Sequence, residues 1–130
     1  MIGTDASILV VEDESILAML LEDFLGDLGY AQPAVASTVQ RALQVLETRS
    51  ITFAILDINL GGEKSFPIAE ALDARGIPYI FMTGYGASGL PEHLRDRHVL
   101  QKPYGADALR DALARAGSPR HDARAEVRAG

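Results

Sequence analysis

Three short apolar runs constrain the fold of this chain more than any other feature. Ser7–Val11, Phe53–Leu56 and Tyr79–Met82 have no charged residue inside them, and they are followed by Glu12, Asp57 and Thr83. An unbroken apolar run of this length reads as a strand covered on both faces, although periodicity alone leaves a helix open. If the runs are strands, the polar residue after each one emerges at a carboxyl end. Ligands of open parallel sheets bind at that edge.

Between the runs the pattern becomes helical. Ile16, Leu17, Leu20, Leu21, Phe24, Leu25 and Leu28 form one apolar stripe, with Gly29 placed to stop the helix. Val39, Ala42, Leu43 and Leu46 form a second, capped by Ser37 or Thr38. Ile68, Ala69, Ala71 and Leu72 form a third, with Pro67 in its first turn and Arg75-Gly76 at its end. Ala106, Leu109, Ala112, Leu113 and Ala116 form the last. Two weaker strands complete the alternation: Ala34–Ala36, which Pro33 assigns to a sheet edge, and Val99-Leu100 before Gln101-Lys102-Pro103.

Strand and helix thus alternate five times. That order implies a doubly wound α/β fold with a five-stranded parallel sheet, helices on both faces and right-handed crossovers. The weak point lies between the fourth and fifth strands. Gly84, Gly86, Gly89 and Pro91 crowd the place of the fourth helix. A glycine inside a helix costs about 1 kcal/mol and a proline about 3 kcal/mol, so a short, frayed or displaced helix is expected there.

The 130 residues suit one domain, taken as 1–117, with 118–130 reading as a disordered tail. No apolar run approaches the ~18 residues that span a membrane. Met1–Asp5 lacks the basic and apolar regions of a signal peptide, so a cytoplasmic protein is expected. With no cysteine, disulfides and thiolate chemistry are excluded. A net charge of −6 disfavours direct nucleic-acid binding, which needs a basic face.

Chemistry concentrates at the strand ends: Glu12 and Asp13, Asp57, Thr83 and Lys102. In a parallel sheet these fall on one edge. Three carboxylates there repel and raise one another's pKa unless a cation lies between them. An all-oxygen set without histidine or cysteine suits Mg²⁺. Lys102 and Thr83 supply a charge and a hydroxyl suited to a phosphoryl group on Asp57, and an aspartate can be the nucleophile in phosphoryl transfer.

Val10–Glu14, Ile55–Asn59, Met82-Thr83-Gly84 and Gln101-Lys102-Pro103, in this order and spacing, resemble the response-regulator receiver domain over about residues 6–116. The resemblance implies a flavodoxin-like (βα)5 fold with strand order 2-1-3-4-5. It implies Asp57 as phosphoacceptor, and Mg²⁺ held by Asp13, Asp57 and the backbone carbonyl of Asn59, with Glu12 acting through water. Thr83 and Lys102 would contact the phosphoryl oxygens, and the Lys102–Pro103 bond would be cis. A sensor histidine kinase or phosphotransfer protein would supply the phosphoryl group. With no output domain expected in the ~15 residues after the last helix, signalling would pass by contact with a further protein, by relay or by a phosphate sink. The chain would then be a signalling module that catalyses only its own phosphorylation and dephosphorylation.

Phe81–Gly86 further resembles the signature of a receiver subgroup known as FATGUY, whose members are typically stand-alone proteins. Two departures from the common receiver stand out. Val99 occupies the usual position of a switch aromatic, for which Tyr85, Tyr104 or ordering of the 84–92 segment are the substitutes. The fourth helix is the glycine-rich segment.

Taken singly, each motif has a plainer explanation. Glu12-Asp13-Glu14 reads as an acid-rich helix start, Asp57 as a loop residue, and Gly61-Gly62 as a turn. Their coincidence with Thr83 and Lys102 favours a site. A phosphatase of the haloacid dehalogenase type would need an aspartate where Asn59 stands. A flavodoxin-type binding module would set acids against the flavin phosphate. A receiver-like adaptor without phosphorylation would not need Asp13, Asp57 and Lys102 together.

Overall fold

The apolar runs form strands because helices cover them on both sides. Every residue of β1 (Ile8–Val11), β3 (Phe53–Asp57) and β6 (Tyr79–Thr83) is buried. The computed structural model describes residues 3–84, 90–94, 96–102 and 104–117. With β2 (Ala34–Ala36) and β7 (His98–Gln101), these strands make a five-stranded parallel sheet of order β2-β1-β3-β6-β7. The extra numbers come from a hairpin of β4 (Asn59–Leu60) and β5 (Glu63–Lys64) inserted after β3. Counted within the main sheet the order is 2-1-3-4-5, as expected. β2 is an edge strand, where Pro33 beside it costs no ladder bond.

Alternate residues feed two cores. Leu9, Val11, Ala54, Leu56 and Phe81 face α2 (Val39–Thr48) and α3 (Phe66–Ala74) through Ala42, Val45, Leu46, Ile68 and Leu72. Ile8, Val10, Phe53, Ile55 and Ile80 face α1 (Ser15–Asp27) and α4 (Ala106–Gly117) through Leu21, Leu25, Leu109 and Leu113. Each large apolar side chain buried this way contributes roughly 1.5–3 kcal/mol. Thr38 caps α2, its hydroxyl oxygen accepting from the Arg41 N–H at 3.1 Å. Pro67 lies in the first turn of α3. No helix among the described residues is long and apolar enough to cross a membrane.

The α1 stripe requires a correction. Its buried line is Ala18, Leu21 and Leu25, whereas Ile16 is 77% exposed and Leu20 43%. At 3.6 residues per turn, Ile16 and Leu20 fall on the side of the helix away from that line. A helix packed on a sheet buries one stripe, and this sequence is apolar over more of its circumference than the sheet can cover. Ala106, expected on the α4 stripe, is likewise exposed.

Between β6 and β7 the described residues form only one 3₁₀ turn, Glu92–Leu94, in agreement with the expected short or irregular fourth helix. Leu90 and Leu94 fill the core there. Tyr85, Pro103 with the expected cis bond, and the 118–130 segment lie outside the described residues.

At the opposite end of the sheet from Asp57, a half-buried polar clasp fixes the start of β7. The Arg97 guanidinium lies 2.9 Å from Asp73 Oδ2 and donates to the Tyr79 hydroxyl at 3.0 Å. That hydroxyl donates onward to Asp73 Oδ1 at 3.1 Å.

Candidate functional site

The parallel register brings the chemistry of four strands to one edge. Val11 pairs with Leu56 and Asp57 with Met82, so Glu12 follows β1 where Asp57 closes β3. Thr83 closes β6 opposite Gln101, the residue before Lys102. The Lys102 N–H donates to the Thr83 carbonyl at 2.8 Å, which carries the ladder one residue past β7.

Carboxylate oxygens of Glu12, Asp13 and Asp57 all lie within 4.8 Å of one another. Glu12 and Asp57 are buried, while Asp13 is exposed. Lys102 Nζ donates to Asp57 Oδ2 at 3.1 Å and to Glu12 Oε1 at 3.2 Å. Glu12 also receives the Glu14 N–H on Oε2 at 3.4 Å. Sequence reasoning assigned Lys102 to the phosphoryl group alone; the fold also makes it the counter-charge of two acids.

The electrostatics follow from burial and crowding. Burial, with the hydrogen bond and charge of Asp57, pushes the Glu12 carboxyl up to about 7, and Lys102 offsets only part of this. Burial pulls the Lys102 ammonium down, but the bonds and charges of Asp57 and then Glu12 outweigh it and raise its pKa. Three carboxylates against one ammonium leave an excess of negative charge. Hard oxygens so arranged fit a divalent cation such as Mg²⁺.

Thr83 is buried at its strand end beside the cluster. Asn59 lies on the exposed face of the β4–β5 hairpin, two residues beyond Asp57. Gly61 and Gly62 form its turn with φ of 55° and 96°, values that non-glycine residues avoid, so the turn reading of this pair holds.

Val99 is half-buried and packs into the α2–α3 core. Tyr104 takes the other side of the sheet. Its ring meets Phe24 edge-on at 6.3 Å, its hydroxyl reaches Met82 Sδ at 3.5 Å, and burial pushes that hydroxyl up to about 12. Leu17, Leu20, Lys102 and Tyr104 line a cleft of about 370 Å³ between α1 and the β7–α4 connection. The sequence signalled this cleft only through the surplus apolar residues of α1.

The family model of the response regulator receiver domain matches residues 8–114. The chain belongs to that family. RegA, the photosynthetic apparatus regulatory protein of Rhodobacter capsulatus, is 26% identical over 121 residues, which are 89% of this chain and 65% of RegA. This receiver therefore spans less than two thirds of that relative's length. The solution structure of SdrG from Sphingomonas melonis Fr1 is 47% identical with a TM-score of 0.78, covering 88% of this chain and 98% of that one. The BeF3-activated conformation of SdrG from Pseudomonas melonis Fr1 is 48% identical with a TM-score of 0.74, covering 87% and 97%. Proteins with such domains are response regulators of two-component systems, in which the receiver is a signalling module.

Proposed function

We propose that this receiver is a stand-alone response regulator of a two-component phosphorelay, with residues 1–117 as the receiver domain and 118–130 as a tail. The observation that carries the reading is the cluster of Glu12, Asp13, Asp57 and Lys102 at the carboxyl edge of the sheet. Asp57 is the phosphoacceptor. Asp13, Asp57 and the Asn59 carbonyl would hold Mg²⁺, with Glu12 acting through water, and the bound ion supplies neutralisation of phosphoryl charge.

In transfer from a phosphohistidine, an Asp57 carboxylate oxygen attacks phosphorus. The P–N bond breaks, its electron pair returns to the imidazole, and the imidazole takes up a proton from solvent. Lys102 exchanges its bond to the Asp57 carboxylate for one to a phosphoryl oxygen, and the Thr83 hydroxyl donates to another. Thr83 with the residues around it gives the FATGUY subgroup its support.

The donor is a sensor histidine kinase or phosphotransfer protein. Exposed Ile16, Met19 and Leu20, and the cleft that reaches Lys102, provide an apolar landing beside Asp57. Output passes to a further protein, along a relay, or into a phosphate sink. Direct nucleic-acid or membrane binding is not part of the reading, and the cytoplasm is its place. SdrG, described in a BeF3-activated conformation, supports the phosphoacceptor role, and the 98% cover of its chain supports the single domain.

Incubation with a small phosphodonor and Mg²⁺ tests it. Wild type should acquire an acid-stable, base-labile adduct that Asp57→Ala lacks; equal labelling of both overturns the assignment.

A further inference from the structure

The hairpin after Asp57 is anchored at its base, along its length and at its tip. At its base, the Ile58 N–H donates to the Met82 carbonyl at 3.2 Å and the Ser65 N–H to the Ile58 carbonyl at 2.9 Å. Along it, Leu60 is 3% exposed and packs into the core. At its tip, a Cβ placed on Gly61 would stand 3.6 Å from Asp13 Oδ2, so the bare turn rests against the acid cluster.

This anchoring leaves the Asn59 side chain exposed, on a two-residue strand. An asparagine so placed tends to turn its side-chain amide onto nearby backbone, which bends the local chain. Lys64 faces Asn59 across the hairpin, and its ammonium donates to Asn59 Oδ1. That bond occupies the oxygen that would otherwise compete for the backbone or for a cation.

We propose that Lys64 is a positioning residue of the cation site, holding Asn59 by its side chain so that the peptide after Asp57 keeps one conformation. The inference rests on the reading of the site as a Mg²⁺ site. It differs in sign from a plain charge effect. A lysine acting only through space repels Mg²⁺, so its loss would tighten binding. A lysine that positions a ligand weakens binding when lost, and supporting residues of this kind typically change metal affinity 10–100-fold.

The experiment is a Mg²⁺ titration of the full chain followed by backbone amide shifts at 12–13 and 57–62, with the Asn59 side-chain amide recorded in metal-free protein. Lys64→Met should weaken Mg²⁺ about tenfold and shift the Asn59 amide before any metal is added, while Lys64→Arg restores both. Asn59→Ala keeps the peptide but removes both the tether and the competing oxygen, so Lys64→Met added to it should cost little more. If wild type responds to Mg²⁺ and Lys64→Met binds it equally or more tightly, the role of Lys64 is overturned and the site stands. If wild type shows no response, the cation site and the role of Lys64 both fall.

Discussion

Lys102 Nζ lies 3.2 Å from Glu12 Oε1, although 90 residues separate them in the chain. Asp57 sits under the same ammonium at 3.1 Å, so one cation joins the ends of β1, β3 and β7. The crowding of acids that suits the site to a divalent cation also makes it costly without a counter-charge.

Removing the ammonium should therefore cost stability in a pH-dependent way. Lys102 holds the Glu12 carboxyl down from an even higher value, so Lys102→Met raises it above about 7. Near pH 5 the neutral Glu12 needs no partner, so the loss falls on Asp57 alone and should be smaller than at higher pH. Near pH 8 two buried carboxylates face each other and the loss should reach about 1–3 kcal/mol. Urea denaturation of metal-free protein at both pH values checks this, and a deficit that shrinks as pH rises contradicts it.

Glu12 should also make Mg²⁺ binding pH-dependent. Its carboxyl is raised from 4.5 to about 7, so the folded protein keeps a proton that the unfolded chain has lost. The stability from this group is present below pH 4.5 and is lost as pH rises through about 7. Cation and proton compete for the same charge, so apparent Mg²⁺ affinity should rise with pH through that range and level off above it. Calorimetric titrations from pH 5.5 to 8.5 test the slope, which Glu12→Gln should flatten.

The Asp73–Tyr79–Arg97 clasp should matter for stability and little for phosphorylation. The Arg97 side chain is 8% exposed and keeps Asp96 and the Tyr79 hydroxyl when Asp73→Ala removes one carboxylate, so the cost should be about 1–2 kcal/mol. Tyr79→Phe removes only the linking hydroxyl and should cost about 1 kcal/mol. Tyr79 and Thr83 are at opposite ends of β6, roughly 13 Å apart at the rise of a strand. Labelling of the folded variants by a small phosphodonor should accordingly stay within twofold of wild type.

The exposed face of α1 should separate protein donors from small ones. Ile16 is 77% and Met19 58% exposed, so Ile16→Ser with Met19→Ser should change stability by less than about 0.5 kcal/mol. Labelling by a small phosphodonor should be unchanged, and transfer from the cognate phosphohistidine protein should fall about tenfold or more, since loss of a buried apolar anchor typically costs over 1 kcal/mol. Equal loss with both donors would place the defect in the site rather than in docking.

Much of this protein was legible in the chain. The runs at 7–11, 53–56 and 79–82 could only be buried strands once helical stripes separated them, and their shared edge followed from parallel topology. Glu12 and Asp57 were identifiable because each directly follows or closes such a strand, Asp13 because it is the next residue, and Lys102 because it follows the weaker last strand. α1 was misjudged because local periodicity counts apolar residues without knowing how wide a stripe the sheet can cover. Ile16 and Leu20 therefore read as core and proved to be surface.

The sequence by itself determined the order of elements, the parallel sheet and the residue types at its edge, because these depend on periodicity and on neighbours in the chain. Tertiary structure alone decided which groups touch. It set Lys102 on both Glu12 and Asp57, Arg97 on Asp73 and Tyr79, Tyr104 against Phe24, and the Gly61 turn on Asp13. Those contacts join residues far apart in the chain, and their geometry exists only once the strands have taken their register.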